Sequence, residues 1–61
     1  MPYVNVKMLS GRSTDQKREL AKSITDSVAS ICNAKPEFVY VVIEDVDKEN
    51  WAVGGTLAAD K

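Results

Sequence analysis

Sixty-one residues carry eight Lys plus Arg against nine Asp plus Glu, a net charge of -1 at pH 7, with no histidine and one cysteine. A single cysteine excludes an intrachain disulfide, and the lack of histidine removes the commonest metal ligand and general base. The charges are spread without long runs and offer no footprint for nucleic acid or anionic lipid.

The length predicts a single domain over residues 1–61, one that as a monomer buries only about 60% of the surface its unfolded chain exposes. No stretch approaches the ~20 apolar residues of a membrane span, and the start lacks the apolar core of a signal peptide. The expected location is cytoplasmic, with small molecules or proteins as partners and no membrane.

The chain opens Met1-Pro2. Aminopeptidases usually remove methionine before so small a side chain, which leaves Pro2 as a free secondary amine. An ordinary α-amino group has a pKa near ~8. Apolar walls and a neighbouring cation lower it, so that the neutral amine becomes a usable general base at neutrality. Taken alone, proline at position two is commonplace and carries no mechanism.

From Tyr3 to Leu9 the residues alternate, with Val4, Val6 and Met8 on one side and Tyr3, Asn5, Lys7 and Leu9 on the other, which predicts a strand. Ser10, Gly11 and Arg12 connect it to a helix announced by a Ser13–Gln16 capping box. The helix runs from Thr14 to about Cys32. Leu20, Ile24, Val28 and Ile31 form its apolar stripe, Ala21 and Ser27 widen it, and Lys17, Arg18, Lys22 and Asp26 are left to water. Asn33 fits a left-handed cap, and Pro36 prevents continuation. Phe38 to Ile43 reads as a second strand, apolar almost throughout and so covered on both faces. Beyond the polar residues Asp47 to Asn50, Trp51 leads into Gly54-Gly55 and Thr56-Leu57, a small C-terminal hairpin or hook.

Strand, helix and strand of these lengths imply an α/β (α+β) architecture: a right-handed βαβ unit with two parallel strands, one helix and a C-terminal hairpin. One helix covers one sheet face. The other, holding Phe38, Tyr40 and Val42 or their alternates, has nothing in the chain to cover it, and the two-stranded sheet has open edges. Assembly into an oligomer by strand addition is the remedy this predicts.

The Met-Pro start on a first strand, Gly11-Arg12-Ser13 before a capped helix, a valine-rich second strand and an aromatic residue three positions before Gly54-Gly55 form an ordered set. With these features the chain resembles the 4-oxalocrotonate tautomerase family from Pro2 to about Ala58. The resemblance implies the tautomerase βαβ unit, paired into dimers with a four-stranded sheet, three dimers making a homohexamer. It implies a cofactor-free, metal-free isomerase interconverting enol and keto forms of a 2-hydroxydienoate or related 2-keto acid, its small-molecule substrate. Pro2 matches the family's catalytic base. Arg12 matches the arginine that grips a substrate carboxylate from a neighbouring subunit, a task suited to the fork of guanidinium donors. Trp51 matches the pocket aromatic, usually phenylalanine.

The chain departs from the family at Tyr40, where many members carry a second arginine. A phenol supplies one O–H donor and no positive charge, so slower turnover or a monocarboxylate enol is expected. Where the family's hydratase-type members carry a glutamate, this chain has Val53, which disfavours decarboxylase or hydratase chemistry. The alternative from another class is a catalytically idle oligomer, a structural or interaction protein that kept the fold. Taken alone, Arg12 reads as a solvated loop residue, Tyr40 as packing and Trp51 as an oligomer contact. Cys32 reads as a small buried or half-buried residue, Glu44 and Asp45 as solvated charge, and Lys7 and Lys48 as surface residues.

Overall fold

The computed structural model describes all residues, Met1–Lys61. Strand β1 spans Tyr3–Leu9, helix α1 Thr14–Ile31 and strand β2 Tyr40–Val46. The two strands pair in parallel from Tyr3↔Tyr40 to Leu9↔Val46, with α1 as the crossover. The capping box forms as its residues predict: Gln16 N–H donates to Ser13 Oγ (3.1 Å) and Ser13 N–H to Gln16 Oε1 (2.9 Å), satisfying two free donors of the first turn. At the other end Asn33 turns left-handed at φ 54, and Ala34 N–H bonds back to Ala29 C=O at 3.0 Å. This closure consumes a terminal carbonyl and stops the helix.

Five expectations need correcting. The second strand does not begin at Phe38, because Pro36–Phe38 forms a 3₁₀ turn, closed by Phe38 N–H to Lys35 C=O and Val39 N–H to Pro36 C=O. Proline's fixed φ suits the first turn of a helix and starts this one. The strand instead continues through Glu44, Asp45 and Val46. Ile31, assigned to the buried stripe, is 83% exposed in the last helical turn, and Cys32 is exposed too. Ser27 also faces solvent, while Thr25 and Ala29 join Leu20, Ala21, Ile24 and Val28 on the half-buried side. Lys17, assigned to water, is half-buried and pairs with Asp45 (Nζ–Oδ2 2.5 Å).

A two-residue turn joins β3 (Ala52–Val53) to β4 (Thr56–Leu57) as an antiparallel hairpin. Gly54 and Gly55 have φ of 60 and 84, the paired positive values of the turn that matches strand twist. Short 3₁₀ turns at Lys48–Asn50 and Ala58–Asp60 flank the hairpin.

The helix covers the sheet face bearing Val4, Val6, Met8, Val41 and Ile43, all half-buried, yet none of the chain's residues is fully buried. The opposite face presents Tyr3, Asn5, Lys7, Tyr40, Val42 and Glu44 to solvent. The accessible surface is 4670 Å², against roughly 3,900 Å² for a compact monomer of this mass. The radius of gyration is 14.4 Å, against about 10.5 Å for a compact domain of this length. The 42 × 24 × 13 Å extents describe a slab one helix and one sheet thick. A single chain therefore has no enclosed core.

Candidate active site

Pro2 sits immediately before β1 and is half-buried. Its carbonyl accepts from Tyr40 N–H at 2.9 Å, the first rung of the parallel ladder, so the start of the chain is fixed against the start of β2. Met1 beyond it is 83% exposed. Tyr40 pairs in register with Tyr3, and both rings project from the open sheet face. The fold thus brings Pro2 and Tyr40 together, at the N-terminal ends of the strands.

Arg12 lies at the other end. β1 separates it from Pro2 by seven residues of strand, roughly 20 Å at about 3.3 Å per residue. Its Nη1 donates to Leu9 C=O at 3.3 Å, and it forms no salt bridge within the chain. Trp51 follows the C-terminal end of β2, one 3₁₀ turn further along the chain. It is half-buried, and its carbonyl accepts from Ala58 N–H at 2.7 Å, which anchors the hairpin beneath it. One chain therefore does not collect the four residues. Pro2 and Tyr40 form one half-site at the N-terminal ends of the strands, and Arg12, beyond the C-terminal end of β1, belongs to another.

Arg12 excepted, charges on the open sheet face and beside the Ser10–Arg12 loop find partners within the chain. On the open face Asn5 Nδ2 donates to Glu44 Oε1 (2.7 Å) and to Tyr3 Oη (3.4 Å), while Lys7 Nζ stands 4.0 Å from Glu44 Oε2. Glu44 is thus part of a polar network rather than a freely solvated carboxylate. Sequence inspection places Tyr3, Asn5 and Lys7 on one face, but linking Glu44 to them requires the strand register. At the Arg12 end, Ser10 Oγ donates to Asp47 Oδ1 at 3.0 Å, beside the Lys17–Asp45 pair. On the outer face of α1, a hydrogen bond with Asp26, then its charge, raises Lys22 above its ordinary pKa. A shallow groove on α1, lined by Gln16, Glu19, Leu20 and Ser23, includes none of the four candidate residues. No three His, Cys, Asp or Glu side chains converge in a metal-binding arrangement.

The family model described as tautomerase enzyme matches residues 2–61. A 2-hydroxymuconate tautomerase of Bacillus subtilis is 43% identical over 60 residues, covering 98% of this chain and 97% of its own. A crystal structure of YwhB, a homologue of 4-oxalocrotonate tautomerase, superimposes with a TM-score of 0.95 at 42% identity, over 98% of both chains. A heterohexameric 4-oxalocrotonate tautomerase from Chloroflexus aurantiacus superimposes with a TM-score of 0.94 at 35% identity, over 98% of this chain and 97% of that one. The parallel βαβ unit, the C-terminal hairpin and these full-length similarities lead to one conclusion: this chain belongs to the tautomerase family, and it is an isomerase.

Proposed function

We propose that the protein interconverts enol and keto forms of a 2-hydroxydienoate, with Pro2 as the proton carrier once Met1 is removed. The neutral Pro2 nitrogen takes the enol hydroxyl proton. The electron pair moves through the dienolate, and the same nitrogen returns a proton at a distant carbon, giving the conjugated 2-keto acid. Atoms and electrons balance without a cofactor, because the substrate's own carbonyl and carboxylate delocalise the charge. The protein supplies orientation and electrostatic stabilisation.

The observation that carries this reading is the separation of the half-sites. Pro2 and Tyr40 meet at one end of the sheet, through the 2.9 Å ladder bond, and Arg12 stands at the other end of β1 with no carboxylate partner of its own chain. A working site then draws Arg12 and Trp51 from a neighbouring copy, in a homo-oligomer that we assign as a hexamer of three dimers. The absence of an enclosed core and the uncovered sheet face support such an assembly. Arg12 binds the substrate carboxylate and disfavours protonated Pro2, Trp51 walls the pocket, and Tyr40 donates its O–H to the substrate oxygen. With a phenol in place of a cation at that position, a monocarboxylate enol is favoured over a dicarboxylate such as 2-hydroxymuconate.

An ultraviolet assay of ketonisation with mono- and dicarboxylate 2-hydroxydienoates tests this. Pro2→Ala is expected to lower kcat on the order of 10²-fold, the usual worth of a positioned base. Arg12→Ala is expected to raise KM about 10-fold or more, as for a lost hydrogen bond to a charged group. Equal rates in wild type and both variants would remove Pro2 and Arg12 from the reaction.

A further inference from the structure

The exit of β2 holds the Arg12 loop at both ends through three successive residues. Asp45 pairs with Lys17 (Nζ–Oδ2 2.5 Å), Val46 C=O accepts from Ser10 N–H (3.0 Å), and Asp47 Oδ1 accepts from Ser10 Oγ (3.0 Å). Arg12 lies between Ser10 and Lys17, and its guanidinium hydrogen-bonds within the chain only to Leu9 C=O. Its placement is therefore inherited from this loop. Asp47 also leads the 3₁₀ turn Lys48–Asn50: Asn50 N–H bonds to Asp47 C=O at 2.8 Å, and Trp51 N–H follows onto Lys48 C=O at 3.4 Å.

We propose that Asp47 is a positioning residue that, through its bond from Ser10, sets the Arg12 loop relative to the Trp51 segment. The proposal rests on the reading of Arg12 and Trp51 as substrate-binding residues. Bidentate capture of a carboxylate depends on the orientation of the guanidinium fork, and a group held in place binds without the cost of ordering it. Asp47 touches no substrate. Its effect passes through Arg12 and so falls on substrate binding rather than on proton transfer at Pro2.

The test is steady-state kinetics of enol ketonisation with Ser10→Ala, Asp47→Ala, the double variant, Asp47→Asn and Arg12→Ala, each checked for wild-type mass by sedimentation. Ser10→Ala and Asp47→Ala are expected to raise KM about 3- to 10-fold, the range of one hydrogen bond, with kcat within about twofold. The double variant is expected to be no worse than either single one, because both remove the same link. Asp47→Asn keeps an acceptor for the Ser10 hydroxyl and is expected to restore KM to near the wild-type value. Raised KM in Arg12→Ala alone, with Ser10→Ala and Asp47→Ala unchanged, overturns the proposal and leaves the Arg12 reading standing. Unchanged KM in Arg12→Ala overturns that reading itself. Additive losses in the double variant, or Asp47→Asn as impaired as Asp47→Ala, also overturn the proposal. Should Ser10→Ala fail to fold, Ser10→Thr, which retains the hydroxyl, is expected to keep near-wild-type KM, and a 3- to 10-fold rise there overturns it.

Discussion

Val42→Asp is the substitution that asks most of the assembly. Val42 lies mid-strand on the uncovered face, 40% exposed, opposite Asn5 and two residues from Glu44. The chain shows 4670 Å² of surface, roughly 800 Å² more than a compact protein of its mass. If about 60% of that excess is apolar, covering it contributes on the order of 10 kcal/mol per chain at ~25 cal/mol/Å², an upper figure before association costs. A carboxylate at position 42 has to be dehydrated when that face is covered, at an effective cost of several kcal/mol per ion, and it stands beside Glu44 on the same side of the strand. Repeated in every copy, this penalty rivals the stabilisation itself. Because the isolated chain has no buried core, dissociation and unfolding are expected to coincide. Sedimentation velocity and far-ultraviolet circular dichroism at micromolar concentration are expected to show lost mass and lost structure together. A Val42→Asp protein with wild-type mass and an unchanged melting curve would show that this face is not covered in the assembly.

Tyr40→Phe is expected to lower kcat roughly 10-fold through loss of one donor, while Tyr40→Arg raises kcat/KM for a dicarboxylate enol; an unchanged rate in Tyr40→Phe assigns the ring to packing. Ser13→Ala removes the acceptor for Gln16 N–H and is expected to cost about 1 kcal/mol, read as a lower denaturation midpoint at unchanged slope. Asp26 raises Lys22 above its ordinary 10.5, first by hydrogen bond and then by charge. The folded value thus exceeds the unfolded one, so the pair's contribution is fully present below pH 10.5 and fades as pH rises through the folded value. Asp26→Asn is expected to bring Lys22 back towards its ordinary value in an NMR titration, with a small loss of stability at neutrality that disappears above the folded Lys22 value.

The local signals were readable because local chemistry decides them. β1, the Ser13–Gln16 box, the left-handed Asn33 and the Gly54-Gly55 turn each depend on neighbours a few residues away. Phe38 reads as strand because its aromatic ring extends the apolar run, whereas Pro36 two residues earlier commits the backbone to a turn. Lys17, Glu44 and Asp45 looked solvated since their partners lie 28 and 39 residues away, beyond any helical or strand period. Ile31 carries the correct periodicity yet remains exposed in the helix's last turn, which shows that periodicity marks a face without saying how far the covering sheet extends. As for the site, the residue types suggested chemistry, but only the parallel topology reveals that Pro2 and Arg12 are at opposite ends of one strand.

The proposed reaction requires the ring nitrogen of Pro2 to be unblocked and uncharged at neutral pH. The most direct measurement is an NMR titration of that nitrogen, ¹⁵N-labelled, in the assembled protein after mass spectrometry has established the loss of Met1. The expected midpoint lies clearly below the ~8 of an ordinary α-amino group and matches the acid limb of kcat/KM. A midpoint at or above that ordinary value in a fully active enzyme, or full activity in protein that retains Met1, rules out Pro2 as the base.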